Sequence, residues 1–303
     1  MFKHFAVLVV ATTMVGTIMA QEAEVPAIPV ETIDLGSGVY ALITNRGGNV
    51  GVLVGEDGVF MIDTQFPDVA PALDAAQKAL SGGRDVDLVL NTHLHGDHVL
   101  GNGYFADRGA TIMAHPNVRP GLMEPNTSEL TGRTPDVLKG GFLPTVNINQ
   151  GDLVTMNGQT ALFYHTPDAH TDGDIFVHFL EADVIHAGDL LFSGRFPFID
   201  LDNGGTVEGM IAGMQAIVDA AGPDTQVIAG HGPMSTEADL EASIAMLADG
   251  RAKVAALVEN GMDLEAVYAE GPLADYAADW NWQFITTERM VWTFYRDITG
   301  KTE

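Results

Sequence analysis

A chain of 303 residues that is 46% hydrophobic and only 18% charged can bury a large core, which excludes a disordered protein. Its 41 acidic residues against 14 lysines and arginines give a formal charge of -27, so a polyanion is repelled and nucleic acid is not an expected partner. Cysteine is absent, which removes thiolate chemistry and leaves any metal site to nitrogen and oxygen ligands.

Residues 1–20 begin with Lys3, continue with an apolar run from Phe5 to Met19 and end at Ala20 before a polar stretch. That is the layout of a secretory signal peptide; the other reading, a membrane anchor, suffers from a short run with no positive cluster after it. The expectation is a periplasmic or secreted protein with no stable membrane anchor after cleavage, its domain covering residues 21–303. Next come VYALIT, NVGVLVG and GVFMIDT, short apolar runs separated by Gly, Asn and Asp, which predict antiparallel strands. Gly47 and Gly48 mark a hairpin turn between the first two.

FPDVAPALDAAQKAL has early prolines and then apolar positions at helical spacing, predicting a helix, and DVDLVL returns as a buried strand. A second series of strands follows in ATIMAH, VNINQGDLVTMNGQTALFYHT and DIFVHFLEADVIHAGD. GGTVEGMIAGMQAIVDAAG reads as a helix, TQVIAGHG as a strand, and the chain from about residue 236 as mainly helical. Such a succession predicts two sheets packed together with helices outside. Residues 119–142, rich in Gly, Pro and Thr, are long for a connection and read either as an active-site flap or as a surface insertion. The stretch FSGRFPFIDLDNGG, 192–205, sets aromatics beside Arg195 in a loop-like context.

The densest chemistry lies in NTHLHGDHVLGN, residues 91–102, directly after an apolar run. On a strand, residues i and i+2 face one side, so His93 and His95 are expected to point together from its end. Gly96 permits a sharp turn, after which Asp97 and His98 reach a neighbouring point and form a second ligand set. Ligand-type side chains at this spacing predict metal binding.

This stretch resembles the HxHxDH signature of the metallo-beta-lactamase superfamily, and TPDAHTDGD, VIHAGDLLF and IAGHGP follow in that family's order, over about residues 35–235. The resemblance implies an α/β fold, a four-layer αββα sandwich of two mixed sheets with outer helices. It implies one metal on His93, His95 and His170, a second on Asp97, His98 and His231, and Asp189 bridging both. Asp97 and Asp189 then stand at the catalytic centre. Two divalent ions about 3.5 to 4 Å apart need a shared anion, which Asp189 with a bridging hydroxide can supply. Two Zn2+ ions are the first choice because hydrolysis needs no redox step; iron or manganese also accept such ligands. Asp63 in FMIDT resembles the family's early aspartate, which supports the metal-bearing loops. Asp168, Asp172 and Asp174 read as solvated turn carboxylates, and His115, His165, His178 and His186 as structural residues in or beside strands.

No Ser/His/Asp order or nucleotide fingerprint competes with metal chemistry. The expected function is an exported dinuclear zinc hydrolase that cleaves a small-molecule amide or ester with metal-bound hydroxide. Beta-lactam ring opening leads among substrates, although the well-known beta-lactamases carry Cys or Ser where this chain has Asp189. Alternatives are an ester, lactone or glyoxalase II-like thioester hydrolase, an iron-dependent sulfur dioxygenase, and a non-catalytic metal-binding protein. Arg195 reads as an ordinary ion-pair residue or as an anchor for a substrate carboxylate, with Phe196 or Phe198 packing the apolar part.

Overall fold

The structure, a computed structural model, describes residues 28–44 and 46–302; the expected signal segment 1–20 lies outside the described residues. Strands β1 (Glu31–Gly36), β2 (Val39–Ile43), β3 (Val50–Val54) and β4 (Val59–Ile62) pair antiparallel in sequence order. Side chains alternate across this ribbon: Leu53, Phe60 and Ile62 enter one apolar layer while Val50, Val52, Val59 and Met61 enter another. Both faces must therefore be covered. Strands β5 (Leu88–Leu90), β6 (Thr111–Ala114) and β7 (Val146–Asn147) extend the sheet in parallel to seven strands.

The second sheet holds β8 (Leu153–Met156), β9 (Gln159–Thr166), β10 (Asp174–Phe179), β11 (Val184–Phe192) and β12 (Gln226–His231), in the order β12-β11-β10-β9-β8. Only β11 and β12 run parallel, so both present their C-terminal ends at one edge. Every residue of β10 and β11 is buried. The sheets meet through Phe60, which packs edge-on against Phe163 and Phe179 with ring centroids 6.3 Å away.

Helix α1 (Ala70–Ser81) has a proline in its first turn and ends at Gly82 with φ 68°, and its Leu73 packs on the outer face of the larger sheet. Short helices α2 (Gly96–Val99), α3 (Asn102–Ala106) and α4 (Val118–Met123) follow. Helix α5 (Val207–Ala220), capped by Thr206, and α6 (Glu237–Glu259), opened by a Thr236–Asp239 capping box, cover the smaller sheet together with α7 (Leu264–Glu270), α8 (Ala277–Trp280) and α9 (Thr287–Thr299). The result is an αββα sandwich. Residues 119–142 start inside α4, then run irregularly apart from a bridge between Ser128 and Arg133 and a helical turn at Gly140–Phe142. Among the described residues no helix is long and apolar enough to cross a membrane.

Candidate metal centre

The centre lies where the two sheets deliver their strand ends. Strand β5 stops at Leu90, so His93 and His95 sit in the following turn and not on the strand as expected. Their rings still converge, with His93 Nε2 3.1 Å from His95 Nδ1. Helix α2 then carries Asp97 and His98. The smaller sheet contributes His170 from the loop between β9 and β10, Asp189 from β11 and His231 from the end of β12. Two groups of potential ligands result: His93, His95, His170 and Asp189, and beside them Asp97, His98 and His231.

Hydrogen bonds fix which nitrogen of each ring is free. His170 Nδ1 lies 2.7 Å from the Phe198 carbonyl and His95 Nε2 2.7 Å from an Asp200 carboxylate oxygen. Both partners only accept, so those nitrogens donate and the opposite ones keep lone pairs. His98 Nδ1 likewise donates to Asp63 at 2.7 Å. Thr92 gives its hydroxyl proton to Asp63 at 2.8 Å and therefore accepts from His93 Nδ1 at 3.0 Å. Consequently His93 Nε2, His95 Nδ1, His170 Nε2 and His98 Nε2 all aim lone pairs into one space.

Such a space calls for cations. His170 Nε2 and His95 Nδ1 stand 2.8 Å apart with no proton assigned between them. His98 Nε2 and Asp189 Oδ1, 3.2 Å apart, are buried and lack a hydrogen-bond partner among the described residues. Unsatisfied buried lone pairs are costly, and a divalent ion satisfies them together. Asp189 Oδ2 lies 3.5 Å from His170 Nε2 and 3.3 Å from His231 Nε2, while Asp97 Oδ2 lies 3.3 Å from His231 Nε2. Asp189 thus faces both groups, the position a bridging carboxylate occupies. These residues fit two ions of a nitrogen- and oxygen-preferring metal.

Burial disfavours charge on the rings of His95 and His98, but Asp200 raises His95 and the carboxylates of Asp189, Asp97 and Asp63 raise His98 well above its ordinary value, so an incoming ion has to displace a proton from those two. Burial would raise the Asp189 carboxyl, but the imidazoles of His231, His98 and His93 hold it well below the usual range. Burial, aided by His95, pushes His170 down to about 4, and burial with His98 nearby pushes His93 well below its ordinary value. Both are neutral at pH 7, the form that ligates metal. Burial opposes the charge on Asp200, yet its hydrogen bond to His95 brings it down to about 2.

Close backbone approach shapes the floor. Gly188, with φ 53°, would place a Cβ 2.8 Å from the Cβ of Thr92, and any side chain at Gly230 would overlap Asp189. The hairpin at Gly47 and Gly48 forms between β2 and β3, but it also serves the centre, because a side chain at Gly48 would fill the place of the His98 ring. Asn49 ties this hairpin to the end of β12 through bonds of 2.9 Å to the Ala229 and Gly232 carbonyls.

Above the metal groups opens a cleft of about 1170 Å³. Arg195 and Phe198 line it, Phe198 stacking on His95 at 5.3 Å. Phe196 does not: it is fully buried in the core beside Trp280, because its backbone pairs with the Trp280 carbonyl and turns the ring inward. Residues 126–135 of the long segment form part of the cleft wall. Asp168 is exposed and Asp172 half-buried, whereas Asp174, read as a solvated carboxylate, is buried and accepts from the Thr171 amide and hydroxyl at 2.7 Å. His115 and His165 stack on each other at 3.7 Å, His178 lies 3.8 Å from Asp183, and His186 faces the Asn49 carbonyl at 3.3 Å, all outside the metal groups. Sequence reading missed Asp200, Thr92, Trp282, Phe284 and Arg289. Asp200 lies in FPFIDLDNGG with no local pattern to set it apart, and the other cleft residues come from 280–289, far from any motif.

Fold and centre together define the class: the chain belongs to the metallo-beta-lactamase superfamily, whose family model matches residues 43–249. All seven candidate ligands fall inside that span. A hydroxyacylglutathione hydrolase from Synechococcus sp. (strain JA-2-3B'a(2-13)) is 28% identical over 127 residues, 42% of this chain; the match spans 43% of that relative's length. Among solved structures, a metallo-beta-lactamase from Pontibacter korlensis aligns with a TM-score of 0.59 at 16% identity, covering 73% of this chain and all of that one. The stereoselective inverting sec-alkylsulfatase Pisa1 from Pseudomonas sp. aligns with a TM-score of 0.67 at 14% identity, over 89% of this chain and 50% of its own. These two share the fold.

Proposed function

We propose that the protein is an exported dinuclear zinc hydrolase that opens a small carboxylate-bearing amide or ester, with the beta-lactam ring as the leading substrate. One observation carries the hydrolase reading: two ligand groups facing a shared Asp189 at the floor of an open cleft. Zinc bound there supplies a Lewis acid for the scissile carbonyl and a water acidic enough to attack it near neutral pH. The chain's own residues do the rest. Asp63 and Asp200 hold His98 and His95 in orientation, Thr92 passes the same constraint from Asp63 to His93, and Arg195 offers a bidentate partner for a substrate carboxylate. Phe198, stacked on His95, supports the apolar part of the substrate.

Export to the periplasm rests on the layout of residues 1–20. Thioester hydrolysis is the second reading, favoured by the match to a hydroxyacylglutathione hydrolase. Metal analysis of freshly purified protein, paired with turnover on lactams, lactones, esters and thioesters, tests both. Two zinc ions with lactam turnover support the leading reading, and thioester turnover alone replaces it with the second. Bound iron with oxygen-dependent turnover overturns hydrolysis, and full metal loading without any turnover leaves a metal-binding protein.

A further inference from the structure

Among the described residues Arg46, Lys78, Arg108, Arg251, Lys253 and Arg296 each pair with a carboxylate, and none of them lines the cleft. The three arginines that do line it, Arg133, Arg195 and Arg289, have no carboxylate partner among those residues. Arg84 and Arg119, outside the cleft, also lack a carboxylate among those residues and donate to backbone carbonyls instead, so what sets the cleft apart is that three guanidinium groups converge on one opening of a strongly acidic chain. Of the acidic residues on the same lining, Asp97 and Asp189 face the metal groups and Asp200 is held by His95, which leaves Glu31.

Two of these arginines belong to an aromatic ladder. From the candidate ligand His231 the rings step to Trp282 at 6.1 Å, and from Trp282 to Phe284 at 5.8 Å. The Arg289 guanidinium lies 5.7 Å above Phe284 and donates to its carbonyl at 2.6 Å, while the Arg195 guanidinium lies 5.1 Å above Trp282. Trp282 is fixed by its indole N–H, which donates to the Phe196 carbonyl at 2.8 Å. Phe284 remains 36% exposed, a large apolar ring left open to solvent at the cleft wall. Trp282, Phe284 and Arg289 lie outside the span matched by the family model, whereas Arg195 lies within it.

We propose that Trp282, Phe284 and Arg289 form a specificity wall for an elongated amphipathic acid, whose flat apolar body lies on the two rings and whose carboxylate, remote from the scissile bond, pairs with Arg289. The order along the ladder sets the substrate's layout: reacting bond at the metal groups, a body about two rings long, acidic end at Arg289. This inference rests on the hydrolase reading for its turnover test, and a binding test keeps the two separable.

For turnover, the zinc-loaded full chain is given two activated aryl esters that differ only at the far end of an aryl-containing acyl group, one ending in carboxylate and one in methyl. Wild type should prefer the carboxylate ester, and Arg289→Gln should lower the carboxylate-to-methyl ratio of kcat/KM by about 10- to 100-fold, the loss of a charge-assisted bond. Arg289→Lys, which keeps the charge, should retain part of the preference. For binding, a non-hydrolysable biphenyl dicarboxylate is titrated against tryptophan fluorescence, with acetate as the control for carboxylates that bind metal alone. Its affinity should fall by a similar factor in Arg289→Gln and in Phe284→Ala, with acetate binding and metal content retained. Equal losses on both esters, or dicarboxylate affinity untouched by Arg289→Gln, would overturn the wall. Should wild type hydrolyse both esters equally well, the wall fails and the hydrolase stands. Should no ester react while dicarboxylate binding depends on Arg289, the wall stands and the hydrolase fails.

Discussion

The floor and the rim of the cleft are built by opposite rules. On the floor four of the five ligand rings are locked by an acceptor within 3.0 Å, His98 on Asp63, His95 on Asp200, His170 on the Phe198 carbonyl and His93 on Thr92. At the rim Arg133 and Arg195 have no side-chain acceptor among the described residues, the Arg289 side chain donates only to the Phe284 carbonyl, and Phe284 is open to solvent. Locked groups can present lone pairs to ions with little reorganisation; open ones keep their capacity for whatever enters. Chemistry and selectivity are therefore separable, and substitutions should divide along the same line.

The largest effect is expected on the floor. Asp189→Ala removes the carboxylate facing both groups, and turnover should fall by about a thousandfold, several kcal/mol of lost stabilisation, with metal leaving the Asp97, His98 and His231 group first. Elemental analysis that finds both positions equally filled in this variant would break the assignment of Asp189 as the bridge. Next comes Asp200→Ala, which frees the His95 ring; zinc affinity measured by competition with a chelator should drop about 10- to 100-fold. An unchanged affinity would move Asp200 from the floor to a role in the turn it shares with Asn203.

At the rim, Arg195→Ala should leave metal content intact and lower kcat/KM for carboxylate-bearing lactams relative to uncharged esters by about tenfold or more. A parallel fall on both substrates, or a loss of metal, would erase the distinction between the zones at this residue. The smallest effect belongs to the long segment. Shortening the exposed part between residues 127 and 134 should raise KM about severalfold without changing metal stoichiometry, because the segment covers the cleft wall and touches no ligand. Steady-state kinetics identical to wild type would make it a surface insertion.

The same division decides what could be read from the chain. Strands such as Val59–Ile62 and Val184–Phe192 declare themselves because apolar runs between turn residues have few other uses. The floor was legible because His93, His95, Asp97 and His98 are contiguous, and because the other landmarks keep a fixed order. Asp200 was not, since its meaning comes from His95, 105 residues away, and an aspartate in a turn looks the same with or without that contact. Phe196 and Phe198 are alike in sequence, yet one backbone bond to Trp280 sends Phe196 into the core while Phe198 faces the cleft. Where His93 and His95 sit shows the limit of periodicity, because the strand ends three residues before the first of them.

The division of ligands between the sheets also sets an order of events during maturation. The larger sheet leads into His93, His95, Asp97 and His98, and the smaller one supplies His170, Asp189 and His231. Neither half can complete either ligand group alone, so the ions load only after the strand ends meet, across a seam already laced by Asn49 reaching to Ala229 and Gly232. Metal capture then records that the long-range docking is finished, and a chain still unfolded offers no pre-formed pocket for a stray ion.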